Sequence, residues 1–167
     1  MMIKRLVLSV LCVVSLSAEA DAVNTTANEQ VSDAYIRSAL SLLTYSEALE
    51  SDEPLDLAGA MLDAALQLNP DHAQAWAMRV ELAQRAGDQE AYEQALVGYL
   101  GTGVDDDRAR FNLIRYRIAN KNTLDAQLRE VERLLKSDAG RALSGPLRSQ
   151  LASFATSLAT EPVSYTH

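Results

Sequence analysis

Apolar residues recur at intervals of three and four along most of the chain, which is the pattern of one buried helical face. Between Val31 and Glu50 they fall at Ile36, Leu40 and Leu43. Ala58, Leu62, Ala65 and Leu66 mark a second helix, and Trp76, Val80 and Ala83 a third between Asp71 and Ala86. Tyr92, Ala95, Leu96, Tyr99 and Leu100 form a fourth stripe, and Phe111, Ile114 and Ile118 a fifth. Leu124, Leu128, Val131 and Leu135 predict a sixth helix, and Leu147, Leu151, Phe154 and Leu158 a seventh. The breaks carry their own chemistry. Pro54 suits a first helical turn, Gly87 a helix end, and Asp88 an N-cap. Asp105, Asp106 and Asp107 open the fifth helix, where negative charge complements the helix dipole. Asn120-Lys121-Asn122 reads as a turn and Asp138 to Gly145 as a loop. No alternating strand pattern appears. Short connections between helices predict antiparallel hairpins and an all-α fold.

The two ends read differently. Met1 to Ala20 has the form of a secretory signal peptide: Lys4 and Arg5, an apolar run from Leu6 to Leu16, then Ala18-Glu19-Ala20 as the cleavage site. The run is too short to span about 30 Å of hydrocarbon, so the expected location is periplasmic or extracellular, with no stable membrane span once the signal is cleaved. Residues 21–30 are polar and read as a disordered lead-in. At the other end, reverse translation of Pro162 to His167 can give CCTGTCTCTTATACACAT, which matches a transposon-end sequencing adaptor. Residues 162–167 are therefore read as adaptor read-through, and the helical domain, 31–161, as continuing beyond Glu161 in the natural chain.

Composition narrows the chemistry. Ala and Leu fill 51 positions against 4 for Ile, which favours helix over sheet. The single cysteine, Cys12, falls in the signal segment, and the histidines are His72 and His167. Cys/His metal sites, disulfides and Cys-His catalysis are excluded on that count. His72 reads as a solvated turn residue. No phosphate-binding or nucleophile-elbow motif is present, so no enzymatic activity, metal or cofactor is expected. The formal charge of −8 opposes general affinity for nucleic acid.

Helix pairs near a 34-residue period point to repeats. Ala58, Leu62 and Ala65-Leu66, followed by Leu68-Asn69-Pro70-Asp71, resemble the second helix and closing turn of a tetratricopeptide repeat. Ala73-Gln74-Ala75-Trp76 resembles the opening of the next repeat, and Gly87-Asp88 its inter-helix turn. Val80 stands where the family has Gly or Ala, and the third unit has no closing proline. The resemblance implies a right-handed solenoid of stacked hairpins whose first helices line a concave groove.

Charge polarises along the chain. Residues 21–107 hold 17 acidic and 3 basic side chains, and residues 108–161 hold 5 acidic and 10 basic. Arg108, Arg110, Arg115 and Arg117 share one predicted helix, paired at seven-residue spacing. By the resemblance, Arg108, Phe111 and Arg115 lie nearest the groove, where arginine can fork to a carboxylate. Alternatively, the arginines pair with acidic neighbours in the preceding repeat. The expected function is an exported scaffold for a protein or peptide partner. An accessory N-terminal region of a longer envelope enzyme, and a structural solenoid without ligand, remain the competing readings.

Overall fold

The computed structural model describes residues 25–46, 48 and 53–160; the expected signal segment and the expected adaptor read-through both lie outside them. The fold is all-α, and no strand occurs among the described residues. Helix α1 includes residues 25–46. It is followed by α2 (Glu53–Leu68), α3 (Ala73–Ala86), α4 (Gln89–Gly101), α5 (Asp107–Ala119), α6 (Leu124–Lys136), α7 (Asp138–Arg141) and α8 (Gly145–Thr160). None of these is long and apolar enough to cross a membrane. The chain divides into two compact units, Met1–Ala86 and Gly87–His167. That boundary falls inside the hairpin that a tetratricopeptide arrangement would make one repeat.

The first unit is built on a continuous apolar core. Ile36, Ala39 and Leu43 of α1 pack with Leu55, Ala58, Leu62 and Ala65 of α2 and with Ala75, Met78 and Leu82 of α3. Small residues bring the helices close. Gly59 is buried, and a Cβ there would lie 3.2 Å from Leu82 Cδ2. A buried polar group ties two helices together: Ser32 Oγ donates to the Ala65 carbonyl at 3.0 Å. Arg79 of α3 pairs with Asp63 of α2 at 3.2 Å.

Four expectations change here. Residues 25–30 are already helical rather than a disordered lead-in. Leu40 is 49% exposed, and Ala39 takes the core position. The core face runs 36, 39 and 43, and a residue four on from Ile36 falls on its far flank. In α3 the buried face is Ala75, Met78, Leu82 and Ala83. Trp76 and Val80 are half-buried on its flank. Trp76 Nε1 donates to the Pro70 carbonyl at 2.7 Å, so the indole braces the turn before α3. His72 is not a solvated turn residue either. Its Nε2 lies 3.0 Å from Asp33 Oδ1, while Nδ1 is buried without a partner.

In the second unit, local signals set each helix start. Asp88 Oδ1 accepts from Ala91 N at 3.0 Å, Asp106 Oδ1 from Ala109 N at 2.9 Å, and Thr123 Oγ1 from Ala126 N at 3.2 Å. Gly87 adopts φ 67°, the left-handed conformation expected where a helix stops. The predicted loop at Asp138 to Gly145 contains a helical turn, α7, capped by Ser137 Oγ accepting from Gly140 N at 3.0 Å. Ala95, Leu96, Ala109, Ile118, Val131, Leu147 and Leu151 are its buried apolar residues.

Candidate functional site

Helix α5 organises the second unit because it packs on α4, α6 and α8. Its start is fixed by the aspartate run. Asp106 caps the helix, while Asp105 and Asp107 both accept from Arg110 Nη1, at 2.6 and 3.1 Å. Asp107 also accepts from Ser144 Oγ, and that same oxygen accepts from Leu147 N at 3.2 Å. This chain of bonds ties the start of α8 to the start of α5. Two aromatic contacts extend the packing: Phe111 meets Phe154 edge-on, with centroids 6.3 Å apart at 86°, and Tyr92 meets Tyr116 at 6.3 Å and 72°.

The electrostatics follow from these contacts. The Ser144 hydroxyl bond and the Arg110 guanidinium hold Asp107 below the usual carboxylate range, outweighing desolvation. Burial, then the charge and hydrogen bond of Asp106, push the Tyr99 phenol up. Tyr99 Oη donates to Asp106 Oδ2 at 3.3 Å. Among the described residues, no group of three or more His, Cys, Asp or Glu side chains is arranged to hold a metal ion.

The four arginines of α5 separate into two classes. Arg110 is held by Asp105 and Asp107, and Arg117 Nε donates to Glu93 Oε1 of α4 at 2.6 Å. Arg108 and Arg115 are exposed, and among the described residues neither guanidinium has an ion-pair partner. Internal pairing thus accounts for Arg110 and Arg117 but not for the other two.

An open groove of about 660 Å³ lies between α5 and α8. Phe111 and Arg115 line it from α5, and Pro146, Ser149, Gln150, Ser153, Phe154 and Ser157 from α8. The structure therefore brings Phe111 and Arg115 to one surface. Arg108, two helical turns before Arg115, sits outside the lining. Of the α8 lining, only Phe154 belongs to the apolar stripe of that helix. The serines at 149, 153 and 157 recur at four-residue spacing on the adjoining face, and that spacing was the available signal.

A second, more enclosed cavity of about 440 Å³ opens on another face of α5. Glu93 of α4, Ile114, Arg117 and Ile118 of α5, Asn120 and Lys121 of the turn, and Glu130, Arg133 and Leu134 of α6 line it. Nothing in the pattern marked it, since Asn120-Lys121-Asn122 reads only as a turn.

No known protein-family model matches the chain, and no curated protein sequence is significantly similar to it.

Proposed function

We propose that this chain is an exported helical scaffold that binds a protein or peptide partner through the groove between α5 and α8. The observation that carries this reading is the division of the arginines. A guanidinium without an internal carboxylate beside an exposed aromatic groove is a ready partner for a carboxylate on another chain. Arg115 supplies the charge at the groove, Phe111 and Phe154 an apolar floor, and Arg108 a second cation along the same helix face. The serines and Gln150 add donors and acceptors that suit a peptide backbone. Export rests on the Lys4-Arg5 start, the apolar run after it and Ala18-Glu19-Ala20. The tetratricopeptide-like hairpin signature around Pro70, Trp76 and Gly87-Asp88 makes a stacked-repeat scaffold the natural setting for such a groove.

The test is a peptide library presented to the whole chain and to the Arg108→Ala, Arg115→Ala double variant. The expected result is enrichment of acidic peptides with an apolar anchor, lost in the double variant at an unchanged melting temperature. Lower stability with binding retained would assign the two arginines to internal structure and end the reading. Mass spectrometry of secreted material should find Asp21 at the mature N-terminus; intact cytosolic protein would remove the export step.

A further inference from the structure

The cavity between α4, α5 and α6 is built on a different face of α5 from the α5–α8 groove and does not depend on it. Its floor is apolar. Ile118 is buried, and Ile114 and Leu134 are half-buried around it. Ile114, Arg117 and Ile118, like Glu130, Arg133 and Leu134, follow the spacing that puts residues on one helix face. The space exists because α5 and α6 approach each other more sparsely than either approaches α8.

The rim holds charges of both signs in different states of engagement. Arg117 gives Nε to Glu93 at 2.6 Å. Arg133 grips Glu130 through Nε at 2.9 Å and Nη2 at 2.6 Å. Each carboxylate is thus matched with one guanidinium. Among the described residues, the Lys121 ammonium and the Asn120 carboxamide have no hydrogen-bond or ion-pair partner, yet both line the cavity. Lys121 lies close enough for its charge to add to the hydrogen bond and charge of Arg133 in holding Glu130 below the ordinary carboxylate range. The rim therefore carries one cation in excess, over an apolar floor.

We propose that this cavity binds an amphiphilic monoanion: one carboxylate on an aliphatic or aromatic body. The carboxylate meets Lys121 Nζ and the Asn120 amide, with the Arg117 guanidinium alongside. The apolar body lies on Ile114, Ile118 and Leu134. A volume of about 440 Å³ is within the range of small-ligand sites. Glu93 and Glu130 set the charge limit, because a dianion or trianion would meet two fixed carboxylates at the rim. A free aliphatic acid and the C-terminal residue of a peptide share this chemistry.

The experiment is a two-dimensional amide NMR titration of the full chain with sodium octanoate at neutral pH, repeated with 1-octanol, n-octylammonium, inorganic phosphate and N-acetyl-Phe-Leu. Saturable octanoate shifts confined to the amides around residue 93 and to residues 114–121 and 130–134 are expected. Octanol should bind more weakly, and octylammonium and phosphate should leave those amides unmoved. Lys121→Gln should weaken octanoate roughly tenfold, as for one lost charge-assisted contact. Arg129→Gln, which removes the same charge outside the lining, should leave affinity unchanged. Tighter binding of octanoate than of N-acetyl-Phe-Leu identifies a free acid as the ligand source; the reverse identifies a peptide terminus. Octanol binding as tightly as octanoate, phosphate binding at the same amides, or an unaltered Lys121→Gln titration would overturn the proposal. None of these readouts involves Arg108 or Arg115, so the groove reading stands or falls separately.

Discussion

The two units hold themselves together by different means. In Met1–Ala86, ten buried apolar residues from α1, α2 and α3 make one continuous cluster. In Gly87–His167, seven buried apolar residues are distributed over four helices, α4, α5, α6 and α8. There the helix starts are set by Asp88, Asp106, Thr123, Ser137 and Ser144 side chains accepting from backbone N–H groups. Ion pairs of Arg110, Arg117, Arg133, Lys136 and Arg141 run along the same surfaces. Burial scales with apolar area and neither titrates nor is screened by salt, whereas caps and ion pairs contribute about 1 kcal/mol each and respond to both. The α5–α8 groove and the cavity between α4, α5 and α6 both lie in the unit with the thinner core. Side chains not committed to the interior, and helices such as α5 and α6 that approach sparsely, leave space and charge for a ligand.

The comparison breaks most readily in the first unit. Leu62 is fully buried at the centre of its cluster. Leu62→Ala should cost about 2–5 kcal/mol, the transfer term plus an unfilled cavity. Denaturant unfolding followed by the Trp76 fluorescence measures it directly. A loss near 1 kcal/mol would mean that the cluster relaxes into the space and is not rigidly packed.

A single backbone contact governs the α6–α7 junction of the second unit. A Cβ on Gly140 would overlap the Leu134 carbonyl. Gly140→Ala must therefore displace backbone rather than a flexible side chain, and about 1–3 kcal/mol is expected. Leu134 also lines the cavity beside α6, so the same substitution should disturb octanoate binding there. The α5–α8 groove, whose lining does not include α6, should be less affected. Equal loss at both places would show that the two sites are not separable.

Legibility in the sequence followed the range of the interaction. Gly87-Asp88 and the aspartate run were readable because a helix end or start is decided within four residues. The all-α class was readable because the three-four periodicity persists through every helix except the single turn α7. The choice between Ala39 and Leu40, or between Met78 and Trp76, was not. Both members of each pair fit a helical stripe, and only the neighbouring helices decide which one faces inward. The arginine cluster was visible, but its division was not. Arg117 finds Glu93 across 24 residues of sequence, whereas Arg115, two positions earlier, faces the groove toward α8. Lys121 carried no signal at all, since its position over a cavity depends on how α6 departs from α5.

Caps sharpen the contrast at a smaller scale. Asp106 caps α5 and receives the Tyr99 hydroxyl. Asp106→Ala should cost about 1 kcal/mol through the lost cap. Thermal unfolding at neutral pH checks it. Asp106→Asn should restore most of the loss, because the amide oxygen still accepts from Ala109 N.

The smallest expected effect is the acid response of the second unit, and its sign follows from Asp107. The hydrogen bond from Ser144 and the Arg110 guanidinium hold that carboxyl below its ordinary value. Arg133 does the same for Glu130, and Lys136 for Glu132. A depressed folded-state value means that the contribution is fully present above the unfolded-state value, about pH 4, and is lost as pH falls through the lower folded-state value. The first unit rests chiefly on apolar burial and should respond less. Hydrogen exchange across an acid series should therefore show α5 and the start of α8 losing protection before the core amides of α2. Asp107→Asn should flatten that early loss, because an amide side chain does not titrate. These groups are exposed or only half-buried, so solvent screening keeps the shift small, and added salt should shrink it further. Simultaneous loss across both units, with Asp107→Asn unchanged from the parent, would show that the ion pairs contribute nothing particular to the second unit.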